Sequence, residues 1–177
     1  AAVGLALTAV SFVFLLQFGV GTLAQDTTYA RWLQLLPIAT LAAAVIALFG
    51  SPGLGPVGAS AWLASGEAIV RYLLALPGAL LTALALGRGA RAWPPPPAGP
   101  SPYFWGAAAS FVVYALLTGL IVPPAPVPPA NALNSNWFLA TFGLPVALGR
   151  MVCAFAATGL LAEAFVVEAT RVYVQRR

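Results

Sequence analysis

The stretch GLPVALGRMVCAFAATGLLAEAFVVEATRVYVQRR, from Gly143 to Arg177, decides the class of fold. Its apolar part, Leu144 to Val167, is long enough at ~1.5 Å per residue to cross ~30 Å of hydrocarbon. Arg150 lies inside it. An ionisable side chain within a span costs roughly 2.5–3.5 kcal/mol on insertion scales, so a partner for Arg150 is expected. The far end carries Glu163 and Glu168, then Arg171, Arg176 and Arg177, a charged exit.

The rest of the chain matches this stretch. Of 177 residues, 61% are hydrophobic and 7% charged, where soluble domains carry about 25% charged residues. The apolar runs are continuous and rich in Ala and Leu. A transmembrane β-barrel would instead alternate apolar and polar residues in ~10-residue segments. The expected fold is therefore an all-α integral membrane protein.

Eight arginines, no lysine and four acids give a formal charge of +4. Spread along membrane flanks, that charge reports topology rather than a nucleic-acid surface. There is no histidine and Cys153 is the single cysteine. Histidine-held haem and the usual zinc sets lack their ligands, and no cofactor or metal is expected. Cys153 reads as a small buried hydrophobe.

Five spans are expected, at about 3–23, 32–49, 67–86, 104–122 and 144–167, forming one polytopic membrane domain. Gln25 to Thr28 is a polar connection with Asp26 as a candidate N-cap. Arg31 and Trp32 anchor the second span, where Pro37 is tolerated in the first turns. The Gly- and Pro-rich segment after Gly50 is a loop. The third helix can begin near Ser60, with its crossing part starting at Glu67. Pro77 and Gly78 weaken its backbone ladder in mid-span, predicting a kink or a close helix approach there. Pro94 to Pro97 favour an extended spacer. Tyr103, Phe104 and Trp105 form an aromatic belt at the fourth span, and a proline-rich then polar loop follows to Asn136. Gly143 and Pro145 predict a break between a short interfacial helix, Trp137 to Phe142, and the last crossing. The alternative is one long kinked helix from Trp137.

Alternating spans put Arg31, Arg88, Arg91, Arg171, Arg176 and Arg177 on one side, which the excess of arginine marks as cytoplasmic. The beginning of the chain is then outside, and further spans before Ala1 are expected. Glu67 and Arg71 are four apart, so they share a helix face in the favoured order. Arg150 lies about 9 Å below the outer end of its span. A Glu67–Arg71–Arg150 cluster follows, with Glu67 the most reachable counter-charge for Arg150. Its surplus positive charge would suit an anionic lipid headgroup or a ligand carboxylate. Asn134, Asn136 and Trp137 are candidate contacts on the outer loop, and Pro77, Gly78, Gly143 and Pro145 are candidate hinges.

Three runs, RYLLALPGALLTALAL (Arg71 to Leu86), GLIVPPAPVPPANALN (Gly119 to Asn134) and FLATFGLPVALGRMVCAF (Phe138 to Phe155), carry a resemblance in their order, spacing and Pro punctuation. Together with SFVFLLQFGVGTL (Ser11 to Leu23), they resemble the N-terminal multi-span sensor region of bacterial sensor histidine kinases and diguanylate cyclases. The resemblance implies an input domain in the inner membrane, a homodimer, and a cytoplasmic output module beyond Arg177. Small residues such as Gly143 and Gly149 would permit close packing in the dimer.

Other chemistry finds little support. No histidine serves as a base, no Gly-x-Ser-x-Gly turn occurs, and no glycine loop with its lysine cradles phosphate. The segment is expected to be non-enzymatic. Gln17, Tyr114, Thr118 and Thr158 are too scattered in the sequence to suggest a proton relay, and no inverted repeat suggests a transporter. A membrane signal-input domain is the expected function. The alternative is a non-catalytic accessory subunit of a larger bacterial membrane complex.

Overall fold

The computed structural model describes residues 2–25, 30–50, 59–92 and 99–175. Asp26, the segment 51–58, Trp93 with Pro94 to Pro97, the side chain of Arg31, and Arg176 and Arg177 lie outside the described residues. The described chain is all-α: α1 (Ala2–Ala24), α2 (Ala30–Leu33), α3 (Leu36–Gly50), α4 (Ala59–Val70), α5 (Leu76–Ala92), α6 (Ser101–Ala115), α7 (Ser135–Phe142) and α8 (Val146–Gln175). A π-turn at Arg71–Ala75 joins α4 to α5 without a break, and a second at Leu116–Leu120 ends α6. Among the described residues, four helices are long and apolar enough to cross a membrane: Val3–Ala24, Ser60–Ala92, Ser101–Leu120 and Val146–Val174.

The second expected span differs from its reading. It is not one helix over 32–49, because α2 stops at Leu33 and α3 starts only at Leu36. Pro37 has no N–H and suits a first turn, so the helix restarts around it, and Leu35 N–H turns back to Trp32 O at 3.1 Å. The remaining apolar helix, Leu36–Leu48, is shorter than the other four.

Each long helix shows a 3.6-residue stripe that packs and an opposite face that does not. On α1, Ala9, Phe12, Leu16, Val20 and Ala24 are buried, while Leu7, Val10, Phe14 and Phe18 are exposed. On α8, Val146, Ala157 and Ala164 are buried, while Phe155 and Phe165 are about 70% exposed. In water such faces would aggregate; in hydrocarbon they are the lipid-facing side. Burial alone cannot drive helices together in lipid, so close packing between small residues must do so.

Helices α1 and α5 pack closely. A Cβ at Gly19 would come within 2.8 Å of Thr82 N, and one at Gly78 within 3.1 Å of Leu16 N. Thr82 is buried and donates its hydroxyl to Leu15 O at 3.2 Å. The long third helix is thus the middle of the bundle. It meets α1 and α3 on one side and α6 on the other, and α8 packs along α6 at the edge.

Pro77 and Gly78 do not break this helix. The irregular turn sits just before them, where Leu76 N–H reaches Arg71 O, one residue farther back than in an α-helix. Pro77 lacks the N–H that would have bonded the Leu73 carbonyl, and the widened turn next to it takes up that defect. Gly78 provides the close approach.

The break expected at Gly143 and Pro145 is present. Gly143 adopts φ 70°, a left-handed conformation that favours glycine, and its N–H closes α7 on Leu139 O at 2.8 Å. α8 starts immediately after Pro145. No residue of α7 is buried, which suits a helix lying in an interface. Between α6 and α7 the proline-rich loop folds back on the bundle: Val122, Ala125 and Ala130 are buried against Ala68, Ala64 and Tyr72. Its two ends are tied by Ser135 N–H to Val122 O at 2.9 Å.

Candidate functional site: an arginine-clamped helix end

A helix that ends in apolar surroundings leaves its last carbonyls without intrahelical donors. α6 faces this problem sharply. Its π-turn stops at Leu120, Ile121 turns extended, and Pro123 and Pro124 follow with no N–H to offer. The missing donors come from two other helices. Arg71, opening the first π-turn, donates Nη1–H to Thr118 O at 3.4 Å. Arg150, on the second turn of α8, donates Nε–H to Leu117 O at 3.0 Å and Nη2–H to Ile121 O. Both cations also sit at the negative end of the helix dipole.

The guanidinium fork suits Arg150 to this position, because its planar donors point in fixed directions and can serve two carbonyls together. Two glycines bring the elements near enough. A Cβ at Gly149 would lie 2.9 Å from a Leu117 methyl, and one at Gly119 would lie 2.5 Å from Leu76 Cβ. The two π-turns therefore touch one another, and α8 rests on the second.

Glu67 pairs with Arg71, its Oε1 accepting Nη2–H at 2.6 Å and Nε–H at 3.0 Å. The direct hydrogen-bond partner of Glu67 is thus Arg71, and Glu67 reaches Arg150 only as a neighbouring charge. The described hydrogen bonds of Arg150 go to backbone carbonyls, because the unfinished end of α6 stands between α8 and the third helix. The three residues nevertheless form one chain of contacts, Glu67 to Arg71 to the α6 end to Arg150. The carbonyl dipoles solvate the two guanidiniums, and the cluster of one carboxylate and two arginines keeps a net positive charge.

Glu67 also borders a cavity of ≈410 Å³ with Gly4, Leu5 and Thr8 of α1 and Pro123 of the loop. The cavity is thus flanked by the ion pair that leads to the clamp. Beside the clamp, Thr118 is buried, and its hydroxyl has no hydrogen-bond partner among the described residues.

The remaining candidates have plainer roles. Asn134 caps α7: its Oδ1 accepts Asn136 N–H at 3.1 Å and Trp137 N–H at 3.0 Å, and its Nδ2 donates to Ala130 O at 3.1 Å. Asn136 and Trp137 are exposed on that helix, Trp137 edge-on to Phe142. Gly149 faces Leu117 within the chain, and Gly143 caps α7. Glu168 pairs with Arg171 at 3.9 Å. Tyr114 and Thr158, far apart in sequence, meet with Ser11, Ser110 and Cys153 around a cavity of ≈270 Å³ between α1, α6 and α8.

Sequence reading missed the Leu117, Thr118 and Ile121 carbonyls. The signal for them was the pair of prolines after Val122, which ends a helix inside apolar sequence. Among the described residues, no group of three or more His, Cys, Asp or Glu side chains could hold a metal ion. No protein-family model, curated protein or solved structure matches the chain.

Proposed function

We propose that the chain is the membrane-embedded input domain of a bacterial two-component-type signalling protein. A signal at the Glu67 end is relayed through Arg71, the end of α6 and Arg150 to α8. One observation carries this reading: arginines from two different helices hydrogen-bond neighbouring carbonyls of one helix end. A ligand can shift such an arrangement only by binding its two packings differently. The cavity beside Glu67 supplies a place for that difference, since any group that draws Glu67 away from Arg71 changes what Arg71 offers to Thr118.

In this reading the Glu67 end faces outward and the C-terminal end of α8 faces the cytoplasm, as the distribution of arginines suggests. α8 hands the change to a cytoplasmic kinase or cyclase module, and the working unit is a homodimer in the inner membrane. The exposed face of α8 supports an output role, because a helix held on one side has room to tilt.

A specific observation also favours the accessory-subunit reading. Glu163 is exposed on α8 near the exposed Phe165, and a carboxylate there suits contact with another subunit. Purification from native membranes separates the two readings. A polypeptide that continues past Arg177 into an ATP-binding or cyclase domain, and self-associates, supports the input domain. Stoichiometric co-purification with a separate enzyme subunit, with no output module on the same polypeptide, overturns it.

A further inference from the structure

At the end of the bundle opposite Glu67, a groove of ≈650 Å³ opens between α5 and α6, closed at one side by Leu23 of α1. Leu80 and Leu84 form one wall and Ala109 and Val112 the other, while Arg88 and Arg91 border the groove at the C-terminal end of α5. From Leu80 to Arg88 the helix rises ~12 Å, most of the ~15 Å that one leaflet contributes to the hydrocarbon core.

The aromatic side chain at this end is held in place. A Cβ at Gly87 would lie 3.3 Å from the Trp105 ring, so the glycine lets the indole lie against α5. The Arg91 guanidinium carbon stands 5.6 Å from the ring centroid, within cation–π reach. An indole at this level is a feature of membrane–water interfaces. Apolar walls of leaflet depth, two guanidiniums above them and an interfacial tryptophan beside them describe one ligand.

We propose that this groove is a binding site for one anionic phospholipid, with an acyl chain along Leu80, Leu84 and Val112 and the phosphate at Arg88 and Arg91. Charge complementarity selects the occupant, since basic pockets between membrane helices take anionic headgroups. A partner helix would have to bring acidic residues to the same depth. The site is remote from the Glu67 end and stands whether or not the chain is a signal-input domain.

Native mass spectrometry of the chain in mild detergent, titrated with phosphatidylglycerol or phosphatidylcholine, tests the proposal. The wild type should retain phosphatidylglycerol roughly tenfold better or more, given two arginines near the headgroup. Arg88→Gln with Arg91→Gln should bring the two lipids within about twofold of each other. Ala109→Trp keeps both arginines but fills the groove, and it should cut phosphatidylglycerol retention about fivefold or more. Circular dichroism checks that each variant keeps its helices. Equal retention of the two lipids by the wild type overturns the proposal without recourse to any variant. So does a preference that survives the double substitution, or unchanged retention by folded Ala109→Trp.

Discussion

Arg150 donates Nε–H to the carbonyl of Leu117 across 3.0 Å, so a charge on the last helix completes the end of α6. This changes how an arginine in a membrane span is understood. Its hydrogen-bond acceptors are the end of a backbone ladder, which needs donors as much as the arginine needs acceptors.

Arg150→Gln should therefore destabilise the bundle by about 2–3 kcal/mol, the scale of hydrogen bonds to a charged group with their carbonyls left unsatisfied. Arg150→Lys should recover less than half, because an ammonium is a point donor without the fork. Thermal unfolding in detergent reads both. A lysine variant as stable as the wild type would contradict the bidentate role.

The glycines divide into two classes. Gly119→Ala forces a Cβ into Leu76, and Gly19→Ala forces one into the Thr82 backbone; each should cost about 1–3 kcal/mol by overpacking. Gly21 has nothing within 4 Å of a Cβ. Gly21→Ala should be neutral or stabilise by up to ~1 kcal/mol through helix propensity. Matched unfolding curves for the three variants check the order.

Asn134→Ala removes the cap of α7 and should cost about 1–2 kcal/mol locally, whereas Asn134→Asp should keep most of it. Hydrogen exchange at the amides of Asn136 and Trp137 is the readout, faster in the alanine variant and near wild type in the aspartate variant.

Glu67 and Arg71 should be energetically coupled. The Arg71 side chain is only 13% exposed, so removing Glu67 alone leaves a largely buried cation short of its acceptor. In a double-mutant cycle with Glu67→Gln and Arg71→Gln, the pair should lose less than the sum of the single losses, by about 1 kcal/mol or more. Strict additivity would show that the ion pair is incidental.

Much of this fold could be read locally. The apolar run of α1 and the turn at Gly143 and Pro145 depend on neighbouring residues alone, and both are where the sequence places them. Glu67 and Arg71 were legible for the same reason, being one helical turn apart. The start of the second span was misplaced because Pro37 was taken as tolerated within a helix from Trp32, whereas the helix restarts around it. The partner of Arg150 was hidden for a deeper reason. Every residue carries a carbonyl, so an orphaned one leaves no mark on composition; it must be inferred from prolines that end a helix in apolar surroundings. The π-turns were equally silent, since a proline defect and the contact between Gly119 and Leu76 belong to different parts of the chain.

The central claim is that the Glu67 end and α8 are coupled through the α6 end. Electron–electron distance measurement tests it most directly, with Cys153→Ala removing the native thiol and spin labels placed at Val174 on α8 and Leu84 on α5. Glu67 makes no described hydrogen bond to α8, yet Glu67→Gln should shift the label distance by about 2 Å or add a second population, the scale of helix shifts in switching proteins. The same substitution in an Arg150→Gln background should produce no further change. A distance distribution identical with and without Glu67 would contradict the account.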